Sequence, residues 1–346
     1  MLHGIMPKKL RRAMTNAAQK AFASDTITLF NGTKQGHMGK YMFSSPLYAN
    51  DPVRGAEKFA DLFNRCARYY IPHDEQNLIT QVLPKLAPYN TVIDFGCGTR
   101  ESVETKAIPL LKATHAANYC AVDINRDYLN DITHTIQSAA PDINHKTLCT
   151  DFSNANLKSA LNAPSNDNAL AIMLGGTAMN LTCKPHEGFP KDDFIALIEN
   201  CLNALPQNSD MVITYDSCTN ADKIYHSYYT KRQAAFATNL MHRIKRDLTP
   251  YGTFDPAAWR YTPQIIPHDD CLIVAQNLTA TKDMTFCIGD QQIHAIAGLP
   301  LTFGSSIKPS AELIKNILET RGITTTRIAR TAEQTVTWHE IKQPSF

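Results

Sequence analysis

No two cysteines in this sequence stand in a CxxC pair. The nine, at positions 66, 97, 120, 149, 183, 201, 218, 271 and 287, are scattered singly and odd in number. That pattern argues against a disulfide framework or a cysteine zinc site, and points to reduced thiols in a cytoplasm. No run of eighteen apolar residues exists, so no membrane span is expected. The N-terminus carries neither the apolar core nor the small-residue cleavage site of a secretory signal. Charge of one sign is also scarce: 34 Lys and Arg against 32 Asp and Glu leave a net +2. Such a balance offers nothing to a polyanion, so neither nucleic acid nor a membrane is expected as partner. One local excess, Lys8, Lys9, Arg11, Arg12 and Lys20, precedes the first acid, Asp25. It reads as a solvated leading helix rather than an anchor, because so few charges bind weakly and give way to salt. The twelve histidines suggest no metal site. The nearest cluster, His73-Asp74-Glu75, is consecutive and would fan around a helix axis.

What is present is a soluble-type composition, 43% hydrophobic and 19% charged over 346 residues. That is enough for one large domain or a domain carrying an insertion. Apolar residues recur at helical spacing over 56–86, at Phe59, Leu62, Phe63, Cys66, Leu78, Ile79, Val82 and Leu83. Short apolar runs then alternate with helical stretches. TVIDF closes at Gly96-Cys97-Gly98, NYCAVD ends at Asp123, and KTLCTDF contains Asp151. ALAIMLGG ends at Gly175 and DMVITYD at Asp216. Runs this short and β-branched are buried strands, and their alternation with helices predicts a doubly wound α/β sheet. Past residue 218, residues 221–248 read as one long helix. CLIVAQNLTA and MTFCIGDQQIHAI then alternate as antiparallel strands. The helix SAELIKNILETRG and the strands ITTTRIA and TVTWHEI close the chain as a hairpin, predicting a doubly wound domain interrupted by an insertion.

In such sheets ligands bind beyond the carboxyl ends of the strands, where strand order reverses. Gly96 and Gly98 would let backbone approach a ligand closely. No third glycine opens the following helix, where Thr99, Arg100 and Glu101 stand, so a pyrophosphate is disfavoured. Asp123 is placed for ribose hydroxyls, and Asp151-Phe152 for an adenine amino group and ring. Acids at three successive strand ends suit a nucleoside without phosphates, and S-adenosylmethionine (SAM) is the expected cofactor.

With these residues the chain resembles the class I methyltransferases, and more narrowly the histidine Nα-methyltransferases of ergothioneine biosynthesis, over about residues 43 to 341. The likeness rests on the glycine turn with Lys106 downstream, Tyr119 to Asp123, Asp151-Phe152, and GGTAMN from Gly175 to Asn180. It implies a Rossmann-like fold divided into a 1–55 arm that helps build the substrate site, a SAM-binding domain of 56–217 and 305–346, and an inserted α+β substrate domain of 218–304. The implied cofactor residues are Gly96, Cys97, Gly98, Lys106, Asp123, Asp151, Phe152 and Gly175. The implied substrate residues are Tyr48, Tyr69, Tyr70, Asn180, Tyr225 and Ser306. Of these, Asn180, Tyr225 and Tyr48 would hold the amine for methyl transfer.

One departure stands out. The family's imidazole-reading segment has the form Thr-Glu-x-Ser-x-Lys, and LTFGSSIK keeps Ser306 and Lys308 but has Gly304 in the glutamate's place. The expected activity is therefore SAM-dependent N-methylation of the α-amino group of histidine or a related small amino acid. Two other uses of the same cofactor remain open: attack of SAM's own amine on its γ-carbon, releasing methylthioadenosine, and a non-catalytic SAM-binding module. A monomer or weak dimer is expected.

Overall fold

The computed structural model describes residues 8–153, 157–162 and 167–342. Five parallel strands form its centre: β1 Thr91–Phe95, β2 Asn118–Asp123, β3 Asn144–Cys149, β4 Ala169–Met173 and β5 Asp210–Asp216. Seven strands follow in the inserted region: β6 Tyr251–Gly252, β7 Trp259–Tyr261, β8 Gln264–Pro267, β9 Cys271–Ala280, β10 Met284–Ile288, β11 Gln291–Ala295 and β12 Pro300–Pro309. Two more, β13 Thr324–Arg330 and β14 Val336–Lys342, close the chain. The main sheet has seven strands in the order β13-β14-β5-β4-β1-β2-β3, with β14 antiparallel to both neighbours. Strand order reverses between β1 and β4, so the expected binding crevice opens there.

Burial explains the strand sequences. β1 and β4 are buried at every residue, as strands covered on both faces must be, and both are short apolar runs. The edge strand β3 is largely exposed and correspondingly polar. Leu78, Ile79 and Val82 of the helix Ile71–Val82 and Ile132 and Ile136 of Arg126–Ala139 pack on one face. Phe194 and Ile198 of Lys191–Ala204, with Ile314 and Leu318 of Ala311–Glu319, pack on the other.

The insertion builds a second core around the long antiparallel pair β9 and β12. Phe236, Leu240 and Ile244 of the helix Lys231–Leu248 meet Trp259, Leu278 and Phe286 there. Phe22 and Leu29 of the leading helix Lys8–Phe30, and Leu62 of Gly55–Arg65, join the same core. The N-terminal arm and the helix after it therefore pack with the insertion. The arm also covers the edge of β12, since the Gly36 and Met38 N–H groups donate to the Thr302 and Phe303 carbonyls at 2.9 Å. By pairing, the inserted sheet runs through Pro309, so the 304/305 division falls inside β12.

The single helix expected over 221–248 is two, Ala221–Tyr228 and Lys231–Leu248. Thr230 is extended between them, and its side chain caps the second helix by accepting from the Gln233 N–H. Lys20 is exposed, whereas the side chains of Lys8, Lys9, Arg11 and Arg12 lie outside the described residues.

Candidate active site

At the end of β1 the chain turns through Gly96 and Gly98, with φ of 74° and 71°, a region that disfavours any residue with a Cβ. A Cβ on Gly96 would lie 2.8 Å from Thr177 Cγ2, so the turn after β1 and the GGTAMN turn after β4 abut only because Gly96 lacks one. A Cβ on Gly98 would meet nothing nearer than 3.9 Å, which leaves that side of the turn open to a ligand. Asp123, at the end of β2, accepts from the Asn125 N–H at 2.7 Å and the Gly98 N–H at 3.2 Å. Burial raises its carboxyl, while those backbone donors pull it down. Asp151 follows β3 and accepts from the Ser153 N–H at 3.0 Å. The neighbouring Phe152 ring lies 5.7 Å from that of Phe95. The open turn, an acid at the neighbouring strand end and an aromatic beyond the next suit the nucleoside part of SAM.

Beneath this rim lies a buried ion pair. Glu75, 1% exposed on the helix Ile71–Val82, pairs with Lys106, 2% exposed. Glu75 Oε1 also accepts the Gly175 N–H at 2.6 Å and the Thr214 hydroxyl. One carboxylate thus joins the turn after β4, strand β5 and the lysine implied to serve the cofactor. His73 and Asp74 take other directions: His73 points outward, and Asp74 accepts from the Thr335 hydroxyl at 2.6 Å.

Asp94, also fully buried in β1, accepts from the Tyr119 hydroxyl at 2.8 Å. Burial pushes its carboxyl up from 3.8 to about 7, against the pull of Tyr119 and Lys106. A folded-state value above the unfolded one means the fold favours the protonated acid. The stability it contributes is complete below the unfolded value and is lost as pH rises through about 7. The cofactor-free protein is therefore expected to lose thermal stability between about pH 4 and about pH 7.5, and Asp94→Asn to flatten that slope. Equal slopes in thermal denaturation of the two proteins would remove Asp94 as the cause.

A second polar group sits where the insertion meets the main sheet. The Lys308 ammonium, on β12, donates to Tyr228 Oη at 2.8 Å and Ser306 Oγ at 2.9 Å, and lies 2.9 Å from Asp216 Oδ2. Asp216 further accepts from the Tyr70 hydroxyl at 2.8 Å and the Cys218 N–H at 3.0 Å. Burial alone would lower the lysine's affinity for its proton, but Asp216 and Tyr228 outweigh it and raise the value. The Tyr69 ring meets Tyr228 edge-on, with centroids 6.2 Å apart.

Among the expected substrate residues, Tyr69, Tyr70 and Ser306 come together in this group. Asn180 ends the short turn 177–179, which packs against β5 and β12, and its side chain is exposed. Tyr225 lies on the outer side of its helix, 44% exposed and stacked on Tyr229 at 4.9 Å. Tyr228, three residues on, is the tyrosine that reaches Ser306, at 2.8 Å. Tyr48 is 57% exposed, on a stretch tethered beside β2 by the Asn125 side chain, which donates to the Phe43 carbonyl at 2.9 Å. In the sequence Glu75 stood out only as part of the His73-Asp74-Glu75 cluster set aside as a metal site, yet it occupies the apolar stripe formed by Ile71, Leu78, Ile79 and Val82. A charge at a core position of an amphipathic helix was the available signal. Asp216 carried the same mark as the other acids, a place at a strand end.

The model of a family described as "Histidine-specific methyltransferase, SAM-dependent" matches residues 31–343. An uncharacterized protein of Sinorhizobium fredii, y4iF, is 25% identical over 235 residues, covering 67% of this chain and 74% of that one. Ergothioneine biosynthesis protein 1 of Neurospora crassa is 25% identical over 184 residues, 51% of this chain but 20% of that protein. Among solved structures, a SAM-dependent methyltransferase from Clostridium acetobutylicum aligns with a TM-score of 0.45 at 12% identity, covering 84% of this chain and 99% of that one. The CcbJ methyltransferase of Streptomyces caelestis aligns with a TM-score of 0.45 at 10% identity, covering 85% and 100%. No helix among the described residues is long and apolar enough to cross a membrane.

Proposed function

Because this chain belongs to the histidine-specific, SAM-dependent methyltransferase family, we propose that it methylates the α-amino group of histidine or a related small amino acid. The observation that carries this reading is the position of the GGTAMN turn. It abuts the glycine turn at Thr177, is held by Glu75 at Gly175, and packs against β12 of the insertion. Asn180, which ends this turn, is the residue proposed to face the acceptor.

When bound, SAM supplies a methyl group on a positively charged sulfur. Gly96, Gly98, Asp123, Asp151, Phe152 and Lys106 are the residues proposed to hold it. The chain's own part is alignment, since holding reacting atoms at about 3–3.5 Å contributes several kcal/mol to lowering a barrier. The acceptor amine reacts only when neutral. Asn180 and the neighbouring tyrosines are proposed to orient its lone pair without stabilising the ammonium form as a carboxylate would. The carboxylate of the group around Tyr70 and Tyr228, Asp216, is committed to Lys308, Tyr70 and the Cys218 N–H. The amine's proton is left to solvent.

Incubation of the protein with SAM and a panel of amino acids is expected to release S-adenosylhomocysteine in step with a methylated amino acid. Methylthioadenosine released without any acceptor would replace this reading with cyclisation of SAM itself. Retained SAM binding with neither product would make the chain a binding module.

A further inference from the structure

A cleft of about 500 Å³ runs between the helices Gly55–Arg65 and Lys231–Leu248. Arg54, Glu57, Lys58 and Asp61 line one wall, and Lys231 and Arg232 the other. None of them belongs to the cofactor rim or to the group around Tyr70 and Tyr228. Four cations here meet two acids, and both acids are already taken. Glu57 accepts from Arg54 at 2.6 Å, and Asp61 accepts from Arg232 Nε at 2.8 Å with Arg65 3.7 Å away. Lys58 is half-buried, and its ammonium meets only the Asn239 side-chain oxygen, at 3.3 Å. Among the described residues no carboxylate forms an ion pair with Lys58 or Lys231. Arg232 spends Nε alone on Asp61, which leaves both terminal nitrogens of its guanidinium without a partner among the described residues.

The protein holds this positive charge at a cost. Burial and the neighbouring Arg54 weaken Lys58's hold on its proton. Lys231 and Arg232 occupy the first turn of an 18-residue helix that has no acid there, on the end where the helix dipole is already positive. An anion in the cleft would compensate both. A guanidinium fork beside ammonium groups matches an oxyanion, since charge-assisted and bidentate hydrogen bonds are the strong ones. The cleft has the size of a small-molecule site, and a chain of net charge +2 offers little to a polymer. We propose that this cleft binds a small dianion, a phosphate ester or a dicarboxylate, through Lys58, Lys231 and the free end of Arg232. The two helices lead into the tyrosine group: Gly55–Arg65 runs on to Tyr69 and Tyr70, and Lys231 stands three residues after Tyr228. A dianion across the cleft therefore braces the elements on which those tyrosines are carried.

The test titrates the full chain calorimetrically with glycerol 3-phosphate, with succinate and with acetate as the singly charged control, at matched ionic strength. One dianion at least is expected to bind about tenfold or more tightly than acetate, and which one does so assigns the ligand class. Lys58→Met/Lys231→Ala is expected to lose about tenfold or more of that affinity, as hydrogen bonds to charged groups are removed. Without any anion the double variant is expected to melt at or above the parent's temperature, because two uncompensated cations are gone. Dianions that bind no better than acetate overturn the proposal, as does equal binding by parent and variant. A variant that melts well below the parent overturns it too, since the lysines would then be meeting partners within the fold. Neither SAM nor an amino acid is present, so the result is independent of the methyl-transfer reading.

Discussion

Lys308→Met is expected to destabilise the protein by about 3–5 kcal/mol, the usual consequence of removing one partner from a buried ion pair. The three N–H groups of the ammonium face Asp216, Tyr228 and Ser306, and both Lys308 and Asp216 are at most 3% exposed. Methionine fills much of the space but leaves Asp216 with only Tyr70 and the Cys218 N–H. The double variant Lys308→Met/Asp216→Asn is expected to recover part of the loss, because the stranded charge goes with it. Urea unfolding measures both. A loss under about 1 kcal/mol would mean that the pair behaves as a solvated one. The effect reaches function as well, since this contact ties β12 of the insertion to β5 of the main sheet.

Glu75→Ala is expected to cost a similar amount, about 3–5 kcal/mol, and to weaken SAM binding. The substitution strands Lys106 and removes the acceptor for the Gly175 N–H and the Thr214 hydroxyl. Glu75→Gln keeps an oxygen for Gly175 and Thr214 while unpairing Lys106, so it is expected to lose less. Calorimetric titration with SAM alongside denaturant unfolding separates the two consequences. If Glu75→Ala unfolded like the parent and bound SAM equally well, the carboxylate would be a bystander at the turn it touches.

Much of this molecule could be read without coordinates because its signals are local. TVIDF and ALAIM do not alternate, because strands buried on both faces have no reason to. CLIVAQNLTA and MTFCI, with one face in the second core, carry a mixed pattern. The acids at 123, 151 and 216 announce themselves by standing where apolar runs stop. The break at Thr230 was harder to see: 221–248 is uniformly helix-forming, and a threonine mid-run reads equally well as a helix residue or a cap. The tyrosines illustrate the same limit. Tyr225 and Tyr228 sit three residues apart on one helix, and composition does not say which turns inward; packing on Val274 and Ser306 buries Tyr228 and leaves Tyr225 outside.

The sequence by itself determined the alternation of strands and helices in the main sheet, the glycine turns, the acids at the strand ends and the glycine at position 304. Each is a property of a few neighbouring residues and their backbone or burial preferences. Only the tertiary structure decided that the N-terminal arm packs with the insertion, and that Glu75 meets Lys106 and Lys308 meets Asp216. It alone brought Gln233 to Gln276. Those meetings join segments far apart in the chain, and no local periodicity encodes them. They arise because two cores must close against each other, and a charge trapped between them is costly unless it is paired.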